Sequence, residues 1–180
     1  MTRVSIQGVS GSYSEEAVRI LLGQNAEIVE CRDFAGAFAA VRLGDADHAV
    51  VPVTNKIVGE IVEPVELLKD GAFRILESLS LRVQHVLAGT PDASVDQLES
   101  VRSHVEALKQ CRKFLSAHPD LTPIIGSDTA SSVKRIVDEG DSTRAAICSR
   151  RAAEIYGAKI VRENIADDID NWTTFYLIGN

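Results

Sequence analysis

The sequence predicts an α/β fold, because short apolar segments alternate with longer segments that have the period of a helix over most of the chain. Its 180 residues can form one compact domain or two small lobes, and are too few for several independent cores. The composition, 45% hydrophobic and 25% charged, is that of a globular protein with a buried core. Disordered and fibrous classes are therefore excluded.

The strand–helix rhythm divides the chain into two sets of segments. In the first set, the strand-like RVSIQG, AEIVEC and HAVVPV precede the helix-like SEEAVRILLG, FAGAFAAVRLG and EIVEPVELLKD. The second set follows the apolar stretch 74–87 and pairs ESVRS, LTPIIGS and RAAICS with VEALKQCRKFLSAH, ASSVKRIVDEG and RRAAEIYGA, before AKIVRENI. Helices that connect parallel strands give this rhythm, so we expect largely parallel sheets.

Two α/β lobes are predicted, each with its own sheet. The strand-like segment 173–178 has no helix after it, and we expect it to cross back to the first lobe. The first lobe then comprises residues 1–76 and 167–180, and the second comprises residues 77–166, with a cleft between them. Clefts of this kind are frequent ligand sites.

Charge and cysteine content exclude several classes of function. Lys and Arg number 19 against 26 Asp and Glu, a net charge of −7 with no basic run, so nucleic acid is not an expected partner. Cys31, Cys111 and Cys148 lack metal-ligand spacing, so we expect reduced core thiols and no metal. There is neither a basic and apolar leader nor a membrane-length apolar run, so we expect a cytoplasmic protein without a membrane partner.

Three predicted helix starts carry hydroxyl groups. Ser12 and Glu15 have the spacing of a capping box, Ser103 or His104 precedes the helix VEALKQC, and the segment 127–129 precedes the helix ASSVKRI. Such turns can be ordinary caps, or they can aim backbone N–H groups at an anion. In doubly wound sheets ligands bind at the carboxyl ends of strands, where these turns are expected. Both interpretations stay open.

Six segments together resemble the catalytic domain of the prephenate dehydratase family. They are GVSGSYSEEA at 8–17, GDADHAVVPVTNKIVGEIVEPVELL at 44–68, SHVEALKQC at 103–111, SDTASSV at 127–133, AAICSRRAAEIYG at 145–157 and DNWTTF at 170–175. The resemblance implies two α/β lobes around a cleft, similar to periplasmic binding proteins of type II, and a homo-oligomer, either dimer or tetramer. It also implies conversion of prephenate to phenylpyruvate, water and carbon dioxide in phenylalanine biosynthesis, for which we expect no cofactor.

The resemblance assigns roles to individual residues. Thr173 matches the threonine of the Asn-x-Thr-Arg-Phe motif that is considered most important for catalysis, and Asn55 and Gln110 match further catalytic positions. Nine more residues are expected to bind substrate: Ser12, Ser14, Lys56, Ser103, His104, Thr129, Asn171, Thr174 and Phe175. The Thr173 hydroxyl, held by Asn55 or Gln110, would then donate a hydrogen bond to the leaving group.

Several motif positions differ from the family pattern. The motif arginine after the catalytic threonine is Thr174, the glutamate before Asn55 is Thr54, the serine after it is Lys56, and Pro-Gln is replaced at 105–106. Losing the arginine removes a bidentate partner for a substrate carboxylate. Lys56 adds a positive charge that compensates for this loss, or it is a solvated loop lysine.

Two alternatives to dehydration stay open. One is a prephenate decarboxylase of a specialised pathway that keeps the ring non-aromatic, although the retained Asn55 and Thr173 favour dehydration. The other is a ligand-binding or regulatory module of the same fold that has lost turnover, as the missing arginine would allow. The choice between prephenate and arogenate is also open. Because the chain ends at Asn180, directly after the motif strand, we expect no regulatory ACT domain.

Most of the remaining titratable residues receive structural interpretations. His48, His85 and His118 have no partner spacing that suggests a metal site or a catalytic triad. The acidic segment 167–170 is predicted to form a solvated turn, with a hinge contact as the alternative. Trp172 is interpreted either as a cleft wall or as part of the core.

Overall fold

The computed structural model describes all 180 residues and divides the chain into two compact units. The first unit comprises Met1–Val83 and Asn171–Asn180, and the second comprises Gln84–Asp170. In chain order the elements are β1 (Arg3–Gln7), α1 (Tyr13–Leu22), β2 (Glu27–Cys31), α2 (Phe34–Leu43), β3 (His48–Asn55), β4 (Gly59–Glu60), α3 (Val62–Leu68), β5 (Arg74–Arg82), β6 (Val86–Gly89), a 3₁₀ turn (Val95–Gln97), β7 (Ser100–Ser103), α4 (Val105–Gln110), α5 (Arg112–Ala117), β8 (Thr122–Ile125), α6 (Thr129–Glu139), β9 (Arg144–Cys148), α7 (Arg150–Ile155), β10 (Lys159–Arg162) and β11 (Trp172–Gly179). Each unit has a sheet with helices packed against it, so the predicted α/β fold class is confirmed. None of these helices is long and apolar enough to cross a bilayer.

The sheet of the first unit has the strand order β2-β1-β3-β11-β5, and the short β4 pairs with β3. β1 runs parallel to β2 and β3, whereas β11 is antiparallel to both β3 and β5. The expectation of a largely parallel sheet is therefore wrong for this unit. The cause is β11, which re-enters the unit at its C-terminal end and lies between β3 and β5.

Apolar residues cover both faces of this sheet, because strand residues alternate between the two sides. Val50 belongs to a core cluster with Ala17 and Val18 of α1, whereas its neighbours Ala49 and Val51 belong to a second cluster with α2. The sheet is thus buried on both faces at its centre, as expected for a strand with helices on either side. This packing fixes the end of β3, where Asn55 lies.

The unit boundaries fall at residues 83–84 and 170–171, rather than near 76 and 166. β5 pairs with β11 along its whole length, from Arg74 to Arg82, and this pairing keeps residues 77–82 in the first unit. The Val83 N–H donates to the Asn171 carbonyl oxygen at 2.8 Å, which extends the pairing by one further bond. The predicted boundary at residue 76 lies inside the long apolar stretch 74–87, which the structure divides between β5 and β6.

The sheet of the second unit has the strand order β10-β6-β9-β7-β8. β7 is parallel to β8 and β9, whereas β6 is antiparallel to β9 and β10, so this sheet is also mixed rather than largely parallel. The segment VEALKQCRKFLSAH, predicted as one helix, forms α4 and α5 with a break at Cys111. That break determines where Gln110 lies, at the C-terminal end of α4.

The three cysteines are free thiols. Cys111 and Cys148 are buried in the second unit, whereas Cys31 is half-buried at the end of β2. The predicted core position is therefore found for Cys111 and Cys148 but not for Cys31. Burial raises the pKa of Cys148 to about 12, and burial together with the nearby Asp167 carboxylate does the same for Cys111. Both thiols are therefore protonated at neutral pH and unreactive.

Candidate active site

The side chains of Asn55 and Thr173 meet at one end of the first unit's sheet. They are directly opposite each other on the antiparallel strands β3 and β11, so their side chains project from the same face. The Asn55 Nδ2 atom donates to the Thr173 Oγ1 atom and to the Asn171 Oδ1 atom, each at 2.8 Å. Its contact with the Trp172 carbonyl oxygen is longer, at 3.3 Å. Asn55, Asn171 and Thr173 therefore form one polar group, the Asn55 cluster.

The turn after β3 fixes the orientation of the Asn55 carboxamide. The Asn55 Oδ1 atom accepts hydrogen bonds from the backbone N–H groups of Ile57 at 2.9 Å and of Val58 at 3.0 Å. Backbone N–H groups only donate, so this end of the carboxamide is its oxygen and the Nδ2 end faces Thr173. Thr173 Oγ1 consequently accepts the Asn55 hydrogen, and its own hydroxyl hydrogen is left to donate.

The Asn55 cluster is shielded from water. Asn55 is 7% exposed, Thr173 is 6% exposed and Asn171 is fully buried. Hydrogen bonds are electrostatically stronger in such surroundings, and a donor that is already fixed needs no reorganisation when charge develops on a substrate atom. The arrangement can therefore stabilise an oxygen atom that gains negative charge.

Thr174 projects from the opposite face of β11 and has hydroxyl residues on both sides. It is directly opposite Thr54 on β3 and Ser80 on β5, and its Oγ1 atom lies 3.2 Å from the Ser80 Oγ atom. The two departures from the family motif at positions 54 and 174 are thus cross-strand partners. This proximity was not visible in the sequence, where 120 positions separate them.

Lys56 is the first residue after β3 and stays next to β11. Its backbone N–H donates to the Trp172 carbonyl oxygen at 2.8 Å, which continues the pairing of the two strands by one bond. The Lys56 side chain is exposed, and Trp172 is 41% exposed. An exposure this large argues against the interpretation of Trp172 as part of the core.

Phe175 lies in the core rather than at a binding surface. It is 2% exposed and belongs to the same apolar cluster as Ile6, Val18 and Leu177. This burial favours a packing role for Phe175, and a contact of Phe175 with substrate stays a prediction. Between Thr174 and Phe175 the register with β3 shifts by one residue, and a bulge of this kind changes the direction of nearby side chains.

The N-terminus of α1 is closed by its own side chains. The Ser12 Oγ atom accepts from the Glu15 N–H at 3.3 Å, and the Glu15 Oε2 atom accepts from the Gly11 N–H at 2.6 Å. Glu15 is 2% exposed and pairs with Arg19, whereas Ser14 is 7% exposed on the first turn of the helix. Because a carboxylate already occupies this terminus, anion binding there is disfavoured and Ser12 acts as a cap.

Ser103 and His104 connect β7 to α4 in the second unit. Ser103 is fully buried, and its Oγ atom donates to the Ile147 carbonyl oxygen at 2.7 Å, which ties β7 to β9. Its hydroxyl hydrogen is used inside the protein, and a contact of Ser103 with substrate stays a prediction. His104 is exposed and caps α4, because its Nδ1 atom accepts from the Glu106 N–H at 3.3 Å.

Thr129 is the first residue of α6, and the residue before it provides the cap. The Asp128 Oδ1 atom accepts from the Ser131 N–H at 2.7 Å, and the Asp128 carbonyl oxygen accepts from the Ser132 hydroxyl at 2.6 Å. As in α1, a carboxylate occupies the helix start, so an anionic ligand would be repelled there. Thr129 itself is half-buried.

Gln110 is held by two residues that the sequence did not connect with it. Its Oε1 atom lies 2.8 Å from the Nε2 atom of His85, and its carbonyl oxygen accepts from the Asp167 N–H at 2.7 Å. The Asp167 carboxylate also accepts from the backbone N–H groups of Arg112 and Lys113 at the start of α5. The Asp167 side chain therefore caps the start of α5 from a distant segment of the chain, as the predicted capping role of this acidic segment requires. No periodicity or motif spacing in the sequence signals either contact.

The predicted site residues are divided between the two units. The first unit holds Ser12, Ser14, Asn55, Lys56, Asn171, Thr173, Thr174 and Phe175, and the second holds Ser103, His104, Gln110 and Thr129. Of the two residues expected to hold the Thr173 hydroxyl, Asn55 does so within its own unit, whereas the Gln110 carboxamide oxygen is bound to His85.

Sequence comparison places nearly the whole chain in one family. The family model described as prephenate dehydratase matches residues 4–180. An arogenate dehydratase/prephenate dehydratase of Arabidopsis thaliana is 38% identical over 177 residues, which cover 98% of this chain and 45% of that protein. The chain thus spans about half the length of the curated relatives it matches.

Solved structures give the same picture of the fold. A prephenate dehydratase from Arthrobacter aurescens, in complex with L-Phe, is similar with a TM-score of 0.90 and 27% identity, and the match covers 100% of this chain and 60% of that one. A protein described as GqqA, a novel type of quorum quenching acylase, is similar with a TM-score of 0.87 and 29% identity, and the match covers 99% of this chain and 64% of the other. With a family model matched from residue 4 to residue 180 and the Asn55 cluster built from the family's motif residues, this chain belongs to the prephenate dehydratase family.

Proposed function

We propose that this chain converts prephenate to phenylpyruvate, water and carbon dioxide. The observation that carries the proposal is the hydrogen bond from Asn55 to Thr173, which leaves the threonine hydroxyl hydrogen to donate. The relative from Arabidopsis thaliana, described as an arogenate dehydratase/prephenate dehydratase, supports the same reaction class. An intact and buried donor pair also favours turnover over a binding module that has lost it.

The reaction makes an aromatic ring, and this determines what the protein must supply. As the bond between the ring and its carboxylate breaks, its electron pair forms a ring double bond, carbon dioxide leaves, and the ring C–O bond breaks in turn. The departing oxygen takes the electron pair of that bond and becomes water after accepting a proton. Aromatisation drives the reaction, so the task of the protein is to orient the substrate and to stabilise the departing oxygen.

Thr173 is the residue we assign to the departing oxygen. A threonine hydroxyl is a weak acid, so hydrogen-bond donation is the role that suits it, with the proton supplied by water. Asn55 fixes the hydroxyl oxygen from one side, and this directs the hydrogen away from Asn55 and towards a ligand. Removing one such donor typically lowers turnover by about two to three orders of magnitude.

Lys56 is the residue we assign to a substrate carboxylate. It is exposed, follows Asn55 directly and stays next to β11, whereas the helix starts at Ser12 and Thr129 already hold carboxylates of the protein. Gln110 is assigned as an uncharged donor of the second unit. Ser103 and Phe175 support the fold rather than touching the substrate, because both are buried and engaged inside their units.

The experiment that tests the proposal is an assay with purified protein. Phenylpyruvate absorbs strongly in alkali, whereas prephenate and a non-aromatic decarboxylation product do not, so the assay separates dehydration from the decarboxylase alternative. Arogenate is tested in parallel by following the formation of phenylalanine. This second substrate is included because the sequence does not decide whether the substrate side chain carries an amino group, as in arogenate, or a keto group, as in prephenate. Wild-type protein that releases carbon dioxide without an aromatic product would overturn the proposal in favour of the decarboxylase.

Two variants of Thr173 connect the activity with the residue. Thr173→Val removes the hydroxyl at nearly constant volume and should lower kcat by about two orders of magnitude or more, while Thr173→Ser keeps the donor and should stay within about tenfold of wild type. Thermal melts of both proteins show whether the fold survives. A valine variant with wild-type turnover would remove Thr173 from the reaction.

Assembly and location stay predictions. We expect a dimer or a tetramer, which light scattering of the purified protein measures directly. We also expect a cytoplasmic protein, although the relative from Arabidopsis thaliana is described as chloroplastic. Microscopy of the tagged protein in its native cell decides between these locations.

A further inference from the structure

His85 is a buried histidine that the reaction described above does not use. It is 4% exposed and lies just before β6, within the second unit. Its Nε2 atom is 2.8 Å from the Oε1 atom of Gln110, 25 positions further along the chain. A bond of this length between a buried ring and a carboxamide is a full hydrogen bond, and breaking one partner leaves the other buried without it.

The chemistry of the two groups gives the direction of this bond. A carboxamide oxygen only accepts, so the His85 Nε2 atom carries the hydrogen and donates. Burial lowers the pKa of the His85 ring below its usual value, and the bond to Gln110 opposes this in part. The ring is therefore neutral at physiological pH, in the tautomer protonated at Nε2. The Gln110 carboxamide is thereby fixed with its oxygen towards His85 and its NH₂ end directed the other way.

The main chain of Gln110 is fixed separately. The Asp167 N–H donates to the Gln110 carbonyl oxygen at 2.7 Å, and the Asp167 carboxylate accepts from the N–H groups of Arg112 at 3.2 Å and Lys113 at 2.8 Å. These three bonds hold the break between α4 and α5, the point from which the Gln110 side chain extends. Side chain and main chain are thus held by two segments that are far apart in sequence.

We propose that His85 is a positioning residue, which holds the Gln110 carboxamide so that its NH₂ end is presented to the substrate, while Asp167 holds the main chain beneath it. The proposal rests on the proposed function, in which Gln110 is an uncharged donor. A donor end suits a substrate with two carboxylates, and the oxygen end would repel it. Without His85 the oxygen end of the carboxamide loses the hydrogen bond that fixes it, so the NH₂ end is held towards the substrate less firmly.

Four variants test the proposal by kinetics: His85→Leu, His85→Gln, Gln110→Leu and the double variant His85→Leu with Gln110→Leu. His85→Leu should lower kcat/KM by about tenfold, the loss expected for one hydrogen bond, whereas His85→Gln keeps an N–H donor and should recover most of this loss. In the Gln110→Leu background the His85→Leu change should have no further effect, because His85 acts through Gln110. Val133→Ala, a cavity variant in α6 of the same unit, is the control for lost stability alone.

A second measurement does not depend on activity. Two-dimensional NMR of the wild-type protein gives the ring nitrogen shifts of His85, which distinguish the two neutral tautomers and the cation. We expect the tautomer protonated at Nε2, and a change in the side-chain amide signals of Gln110 in His85→Leu. A ring protonated at Nδ1 alone, or strictly additive kinetic effects, would overturn the positioning role. Wild-type protein that forms no phenylpyruvate would instead overturn the proposed function, and the tautomer would still decide whether His85 donates to Gln110.

Discussion

Asn55→Asp tests the direction of the hydrogen bond on which the proposed mechanism depends. Aspartate has nearly the same size and shape as asparagine and keeps an oxygen for the N–H groups of Ile57 and Val58. The NH₂ group that donates to Thr173 is replaced by a second oxygen, which can only accept. The Thr173 hydroxyl must then turn its hydrogen towards residue 55, and the donor for the departing oxygen is lost.

The magnitude follows from the contacts that change. One donor to the transition state is lost, so kcat should fall by about two to three orders of magnitude. Stability should fall by about 1–3 kcal/mol, because the bond to the Asn171 Oδ1 atom is lost while the two backbone donors now serve a charged group. A residue that is only 7% exposed cannot replace these bonds by water.

The assay combines steady-state kinetics on prephenate with thermal melts of the same preparations. Asn25→Asp is the matched control, since it makes the same chemical change at an exposed loop position of the same unit. We expect Asn25→Asp to match wild type in both measurements. A folded Asn55→Asp protein with kcat within about threefold of wild type would refute the reasoning, because turnover would then not depend on which way the Thr173 hydrogen points.

Three further predictions follow from the structure. Thr54→Glu and Thr174→Arg restore the family residues at directly opposite positions on β3 and β11. A double-mutant cycle measured by thermal melts should therefore show a favourable coupling energy of about 0.2–1 kcal/mol. Stability changes of the two single variants that simply add in the double variant would contradict this. Lys56→Ala should raise KM for prephenate by about two- to fivefold with little change in kcat, whereas an unchanged KM would identify a solvated lysine. Burial raises the pKa of Cys111 and Cys148 to about 12, so both thiols should resist alkylation at mildly alkaline pH in the folded protein. Both should react once the protein is unfolded in urea. Reaction of either thiol in the folded protein would contradict the assigned burial.

The fold was predictable where local pattern decides it. Strands such as RVSIQ and helices such as YSEEAVRILL follow from apolar period and capping residues, and the Ser12–Glu15 spacing gave the start of α1 within one residue. The direction of strand pairing was not predictable, because it depends on where β11 enters the sheet. The break between α4 and α5 was missed for a similar reason, since the N–H groups that start α5 are satisfied by Asp167 from a distant segment.

In the candidate site, too, the residues that motifs mark were predictable and the contacts between distant segments were not. Motif resemblance identified Asn55 and Thr173, and the cross-strand register explains why these two residue types occur together. It could not show that the Ser103 hydroxyl is used inside the sheet, because a buried serine and a binding serine look alike in a sequence. The contact of His85 with Gln110 was missed because a hydrogen bond between distant side chains has no periodic signal.

The departures from the family motif take on a different meaning once the register is known. Taken one at a time, the replacement of the motif arginine by Thr174 removes a bidentate partner for a substrate carboxylate. The replacement of the motif glutamate by Thr54 removes a negative charge. The two positions are directly opposite each other, so they replace an acid and a base together and leave the charge of that pair at zero. They also project from the face opposite to Asn55 and Thr173, since neighbouring residues of a strand alternate. Once Thr54 and Thr174 are counted together, Lys56 in place of serine is the departure that adds a positive charge to the motif turn, and we predict that a dianionic substrate is bound more tightly because of it.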